Sequence, residues 1–318
     1  MNSKIAVVIP CYRVTESILN LIESIDKEVS RIYIIDDCCP NETGKLVEKK
    51  CADPRVKVIF HSKNTGVGGA VKSGYKQAIS EHMDVIVKLD GDGQMNPQLI
   101  KNFIAPIINN EADYVKGNRF YNLDTLIKMP KFRLAGNSAL GLINKIVSGY
   151  WNVLDPTNGY TAIDSGLAKT LPLDKISDRY FFESDMLFRL GTFRAVVYDL
   201  PMDAKYGDEK SSMNLWTIFF QFPPKYLSRF FKRIIYTYFL RDFNVGTISI
   251  IMSSIFIPFG IYYGLSNWII SIKTGIPASS GTVMLSSLPL ILGFQFLLTA
   301  IQFDINNQPS KPLKTYYR

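Results

Sequence analysis

"VIVKLDGDGQMNP", residues 85–97, decides how the rest of the chain is read. A mostly apolar run ends in Asp90, Gly91, Asp92 and Gly93, then Gln94 and an Asn-Pro pair that suits a helix start. Two readings are open. The segment is either a tight turn after a buried strand, or a strand end holding two carboxylates for a metal ion. Gly91 and Gly93 allow the backbone to leave the strand so that both acids approach one point. Oxygen-only donors suit Mg²⁺ or Mn²⁺, which keep few protein ligands and complete their shell from substrate phosphates.

Working outward, "IAVVIP" (5–10), "RIYIIDD" (31–37), "VKVIF" (56–60) and "DVIVKLD" (84–90) are short and β-branched, as strands are. Helical spacing fills 15–28, 43–51 and 67–82 between them. Strand-helix alternation with nearly continuous apolar strands predicts an α/β fold with a mainly parallel sheet covered on both faces. Ligands of such sheets bind at the carboxyl ends of the strands. Those ends hold four acids: Asp36, Asp37, Asp90 and Asp92. Later segments predict a helix over 132–150, a loop through "DPTNGYTAIDSGLAK" (155–169) into a short helix begun by Asp164 or Ser165, a helix over 179–191 and a strand over 193–201.

The far half changes character. Residues 245–272 and 282–303 contain no charged residue, and each run is long enough as a helix to cross about 30 Å of hydrocarbon. Two transmembrane helices are expected, against the alternative of two core helices. Lys225, Arg229, Lys232, Arg233 and Arg241 precede the first run and Lys311, Lys314 and Arg318 follow the second, so the positive-inside rule puts both termini in the cytoplasm. Residues 1–10 lack a signal-peptide run, and the expected organisation is a cytoplasmic catalytic domain over 1–220, an amphipathic juxtamembrane stretch over 221–243, the spans within 244–304 and a tail over 305–318. The net charge of +8 is assigned to anionic lipid beside the spans rather than to nucleic acid. The four cysteines lie in the cytoplasmic part and show no zinc spacing.

The order of motifs resembles the family 2 glycosyltransferases, which have the GT-A nucleotide-sugar fold. "VVIPCYRVTESI" is similar to the family's opening strand, with Pro10, Tyr12 and, after two extra residues, Glu16. "IIDDCCPNETG" looks like its acidic loop, Asp36 and Asp37 matching while Cys38, Cys39 and Pro40 depart. "NTGVGGAVKSGYKQA" (64–78) resembles its glycine-rich helix start, and "VKLDGDGQMNP" its D-x-D-x-Q segment. The resemblance implies nucleotide-sugar binding by Pro10, Tyr12, Glu16, Asp36, Asp37, Gly66, Gly68 and Asp90, and Mg²⁺ or Mn²⁺ on Asp92 and Gln94 with Asp90 close by. Read chemically, Asp36 at a strand end can accept hydrogen bonds from a base or ribose, and Tyr12 can stack on the base. A capped turn and a core aromatic are the plain alternatives. The glycines would leave amides free at a helix start, where negative charge is favoured.

"VKGNRF", "FRLAGNSALG", "DPTNGYTAI" and "FFESDML" resemble the polyprenyl-phosphate branch of the family, which includes dolichyl-phosphate mannose synthases and bacterial undecaprenyl-phosphate glucosyltransferases. That resemblance implies inverting transfer of a hexose from a nucleoside-diphosphate sugar to a lipid phosphate at the membrane, for cell-surface glycan modification. UDP-hexose is the expected donor, GDP-mannose the alternative, and a homotetramer the expected assembly. Arg119 and Arg133 match the branch's phosphate-binding arginines, and a guanidinium fork suits a phosphate. Either arginine has a structural salt bridge as its plain alternative. Glu183 and Asp185 could orient a sugar or an arginine, or lie on a solvated helix face. Where the branch has an arginine-containing segment before the membrane, this chain has "AKYGDEKSSMN" (204–214), so Lys205 or Lys210 would have to supply the charge. A polysaccharide synthase would bring more spans and a Gln-x-x-Arg-Trp motif, a nucleotidyltransferase a glycine-rich first loop, and a non-enzymatic scaffold would bind no nucleotide.

Overall fold

The computed structural model describes residues 3–121, 131–203 and 215–316, except the side chains of 131–135 and 215–219. The chain divides into two compact units, Met1–Phe230 with Pro309–Arg318, and Phe231–Gln308.

Among the described residues the first unit has seven strands: β1 (Ile5–Cys11), β2 (Arg31–Asp36), β3 (Val56–Phe60), β4 (Val85–Lys88), β5 (Tyr114–Asn118), β6 (Thr161–Asp164) and β7 (Val197–Pro201). Their order across the sheet is β3-β2-β1-β4-β6-β5-β7. β6 runs antiparallel to both neighbours, and the other pairings are parallel. Alternate residues feed two cores. Ala6, Val8, Tyr33 and Ile35 join one face, and Val7, Ile9, Ile32 and Ile34 the other. Burial on both faces is why these strands read as continuous apolar runs rather than alternating ones.

The α-helices described in this part of the chain include α1 (Ile18–Glu23), α2 (Thr43–Lys50), α3 (Val67–Ser80), α4 (Ile100–Ile108), α5 (Lys131–Ser148), α6 (Ser165–Thr170), α7 (Phe182–Phe193) and α8 (Leu215–Ile234). The unit boundary falls inside α8. Asp164 caps α6 by accepting from the Leu167 N–H at 3.0 Å, as its position before the helix predicts. The stretch expected to be a loop ahead of it instead supplies β6, the one reversed strand.

Residues after the second unit return to the first. The Leu313 N–H donates to both Asp113 oxygens at 2.9 and 3.0 Å, Lys314 pairs with Asp164 at 2.8 Å, and the Leu313 side chain packs on the core under β1.

The second unit holds a π-helical turn (Ile235–Arg241) and the helices α9 (Val245–Thr274) and α10 (Ser280–Asn306). Asn244 and Thr247 form a capping box at the start of α9, and Gly275 ends it at a positive φ of 69°. Close approach of the two helices requires small residues: a Cβ on Gly260 would sit 2.7 Å from Leu290, and one on Gly293 2.7 Å from Ile257. At their base, Arg233 forks onto Asp304 at 2.7 and 3.1 Å. Ile255, Phe259, Leu265, Ile291, Phe294 and Leu298 point outward. Both helices are long and apolar enough to cross a membrane, and their outer surfaces have the apolar character that lipid accommodates.

Candidate active site

The polar strand ends gather at the carboxyl edge of β1, β2 and β4. Tyr12, just past β1, is 44% exposed, so it is no core aromatic, and the Arg13 guanidinium lies 5.3 Å over its ring. Glu16 is exposed and Pro10 half-buried beside it. The loop after β1 grips the DGDG turn, because Ser17 Oγ donates to the Gly91 carbonyl at 2.6 Å. Gly93 adopts a φ of 77°, which favours glycine. The turn then closes on itself, the Gln94 N–H donating to Asp92 Oδ1 at 3.0 Å, and Asn96 opens the following short helix by accepting from Gln98.

Asp36 and Asp37 are both buried and act within the protein. Asp36 Oδ1 accepts from the Cys39 N–H at 2.7 Å and Oδ2 from the Gly44 N–H at 2.6 Å, which shapes the turn into α2. Asp37 accepts from Thr65 N–H and Oγ1 and meets His61 Nδ1 at 2.7 Å through Oδ1, while Oδ2 takes the Gly66 N–H at 2.7 Å. Burial pushes the Asp37 carboxyl up, but those donors more than offset it and hold the group below its ordinary range. These are the capped-turn arrangements.

The expectation of free amides at the glycine-rich helix start is corrected here. Gly66 N–H is taken by Asp37, and Gly69 N–H by the Asp178 carbonyl at 2.9 Å. The glycines admit another chain segment: a Cβ on Gly68 would lie 2.4 Å from the Ser177 carbonyl, and one on Gly66 2.7 Å from Arg179. Close packing of 177–182 on α3 is what these glycines make possible in the structure.

Past β4 the acids have a different environment. Lys88, fully buried, pairs with Asp90 at 2.8 Å and Glu183 at 3.3 Å. Burial alone would lower its pKa, yet the two carboxylates raise it. Gly159 lies against this group, since a Cβ there would stand 2.2 Å from Asp90 Oδ2 and 2.6 Å from Lys88 Nζ. Just past β5, Arg119 forks onto the fully buried Asp155 of the loop before β6 at 2.6 and 3.0 Å, so the salt-bridge alternative describes these contacts. Glu183 and Asp185 do not lie on a solvated face. Asp185 has no exposure and orients an arginine, Arg229 of α8, at 2.7 Å. Arg229 and Arg233 are thus ion-paired inside the protein, which removes them from the group assigned to anionic lipid. Arg133 lies in α5 with its side chain outside the described ones, and Lys205 and Lys210 lie outside the described residues.

Lys88, Lys116 and Asp155 were not singled out in the sequence, and Arg229 was read there only as a basic residue beside the membrane. The signal for the two lysines was present: each sits where an apolar strand should be closed to water.

A divalent cation fits this donor set in one way. Among the described residues no three His, Cys, Asp or Glu side chains converge as a closed metal cage. Asp92 and Gln94 are half-buried oxygen donors on a glycine-shaped turn, and Asp90 has one oxygen on Lys88. Such a set suits a hard ion that takes one or two protein oxygens and the rest from a substrate diphosphate.

A family model described as "Glycosyl transferase family 2" matches residues 6–171, more than half of the chain. The chain belongs to glycosyl transferase family 2. Among its relatives, the UDP-N-acetylglucosamine–dolichyl-phosphate N-acetylglucosaminyltransferase of Methanococcus voltae is 29% identical over 218 residues, covering 64% of this chain and 86% of the relative. The undecaprenyl-phosphate mannosyltransferase of Micrococcus luteus is 27% identical over 216 residues, covering 66% and 88%. Glucosyl-3-phosphoglycerate synthase from Mycobacterium tuberculosis, in complex with Mn²⁺, uridine diphosphate and phosphoglyceric acid, superposes with a TM-score of 0.55 over 71% of this chain and 78% of that one at 18% identity. That likeness shows the fold: this family 2 glycosyltransferase has a GT-A-like mixed sheet with mostly parallel strands.

Proposed function

We propose that the chain transfers a hexose, with inversion, from a UDP-hexose to polyprenyl phosphate on the cytoplasmic face of a membrane. The observation that carries this reading is the conjunction of a family 2 catalytic unit, with half-exposed acids past β4, and two lipid-compatible helices in one chain. The relatives support the acceptor, since those from Methanococcus voltae and Micrococcus luteus are named for dolichyl and undecaprenyl phosphate. A GDP-mannose donor is the second reading, favoured by the Micrococcus luteus name and by a dolichol-phosphate mannosyltransferase of Pyrococcus furiosus, 26% identical over 185 residues.

In this reading Tyr12 stacks on the base and Asp90, aimed by Lys88, reaches the donor sugar. Asp92 and Gln94 hold Mg²⁺ or Mn²⁺, which supplies neutralising charge for the leaving diphosphate. A lipid phosphate is an anion near neutral pH, so it needs positioning and charge compensation more than a strong base. Arg119, steadied by Asp155, provides that charge, with Arg133 and Lys205 or Lys210 as further candidates. One phosphate oxygen attacks the anomeric carbon as the bond to the diphosphate breaks, its electron pair leaving with the nucleotide.

Purified protein incubated with radiolabelled UDP- and GDP-sugars, Mg²⁺ or Mn²⁺ and undecaprenyl phosphate should yield labelled lipid. No labelled lipid with any common donor would overturn the proposal. Orientation is tested separately: a reporter fused at Ser279 should lie outside the cytoplasm and one at Arg318 inside.

A further inference from the structure

Residues 155–159 form a short loop that touches both halves of the site. At one end Asp155 holds Arg119, and at the other Gly159 lies against Asp90 and Lys88. Between these ends the Asn158 carbonyl accepts from Lys116 Nζ at 2.6 Å. Lys116 stands in β5, level with Thr161 of β6, and Thr161 is level in turn with Lys88 of β4. The two lysines therefore rise from one row of the sheet on either side of a threonine. Lysine is almost never fully buried without a purpose-built partner, and Lys116 has no exposure. Its ammonium donates to a main-chain carbonyl rather than to a carboxylate, so its hydrogen bond acts on where the loop sits.

We propose that Lys116 is a positioning residue which, by holding the 155–159 loop at Asn158, sets the separation between Arg119 on the acceptor side and Asp90 on the donor side. The proposal rests on the transferase reading above. A charge-assisted bond to a carbonyl is shorter and stronger than a neutral one, so the loop is held most firmly while the lysine is protonated. The charges facing Lys116 are Lys88 from β4, Glu183 from α7, Asp155 from the loop, Arg119 from the segment after β5 and Asp199, its register partner in β7. Burial pushes the Lys116 ammonium down to about 8, against the pull of Glu183 and Asp155. Below that value the ammonium is charged and the loop is set; above it the charge assistance is lost. Transfer to the lipid should therefore fall as pH rises through this range, while affinity for the free nucleoside diphosphate, whose base rests on Tyr12 outside the loop in this reading, should not.

The test compares full-length wild type with Lys116→Met and Lys116→Arg in detergent or nanodiscs. Lys116→Met should lower kcat at pH 7 by about tenfold, leave KM for the sugar nucleotide within about twofold, and lack the alkaline limb of the wild-type profile. Lys116→Arg keeps its charge and should carry activity to higher pH. Amide hydrogen exchange of residues 155–160, corrected for intrinsic rates, should quicken above pH 8 in the wild type and already at pH 7 in Lys116→Met. A Lys116→Met enzyme with wild-type kcat and an unchanged alkaline limb overturns the proposal. So does wild-type loop protection that is indifferent to pH, a measurement that needs no substrate and stands even if neither variant folds. Absence of transfer in the wild type would count against the acceptor reading, and loop exchange would still decide the role of Lys116.

Discussion

Two pairs of acids stand at strand ends one strand apart, and their surroundings differ in kind. Asp36 and Asp37, at the end of β2, are buried and accept N–H groups from Cys39, Gly44, Thr65 and Gly66. Asp90 and Asp92, past β4, meet the Lys88 ammonium through Asp90 and the Gln94 N–H through Asp92. The first pair organises loops. The second remains half-exposed on a turn in which Gly93 takes a positive φ. Residue type and position were the same in both cases; what separates them is burial, complete for the first pair and partial for the second.

That contrast can be broken from the side of the second pair. Asp92→Asn should lower transfer by about 10³-fold while thermal unfolding stays within error of wild type, because the amide oxygen can still accept the Gln94 N–H and what is lost is the negative charge. Full activity in that variant would remove the metal assignment. Gly159→Ala should cost about 10²-fold in kcat, since its methyl would collide with Asp90 Oδ2 and Lys88 Nζ and misplace the carboxylate; unaltered kcat would show that the loop can yield.

From the side of the first pair the effect moves to stability. Asp37→Asn can satisfy Thr65 or Gly66 but not both, and should destabilise the protein by about 2–3 kcal/mol in denaturant unfolding. The sign with pH follows from its lowered carboxyl: this stabilisation is complete above the unfolded value of 3.8 and is lost as pH falls below it. Wild type and variant should therefore converge in acid.

The smallest effect belongs to an acid between the two classes. Asp199 accepts from Asn118 at 2.7 Å and from the Leu154 N–H, yet its Oδ1 is buried without a partner, and burial pushes its carboxyl up to about 6. A raised carboxyl means that the folded state holds the proton more tightly, so stability falls as pH rises from 3.8 to about 6. Asp199→Asn should gain on the order of 1 kcal/mol at pH 7.5, about 2–4 °C in Tm, with the gain vanishing toward pH 4.

Much of this was legible beforehand. The parallel half of the sheet, the α6 cap at Asp164 and the long apolar helices follow from periodicity and charge that act locally. β6 was missed because four residues inside a turn-rich stretch carry too little pattern, and its direction depends on partners distant in sequence. The glycines near α3 were visible as glycines, but the segment that approaches them, 177–182, lies over a hundred residues away. The same holds for the carboxylates. A sequence shows an acid at a strand end, and only the folded chain shows which amide or ammonium meets it.

The clasp made by Leu313 and Lys314 on Asp113 and Asp164 has a consequence for biosynthesis. Residues 309–316 leave the ribosome after both apolar helices, and domains otherwise assemble from the N-terminus as they emerge. The catalytic unit therefore receives its final contacts after the apolar helices have been made, so a chain stalled between Phe231 and Gln308 would carry the whole sheet and still leave Asp113 waiting for the amides that complete it.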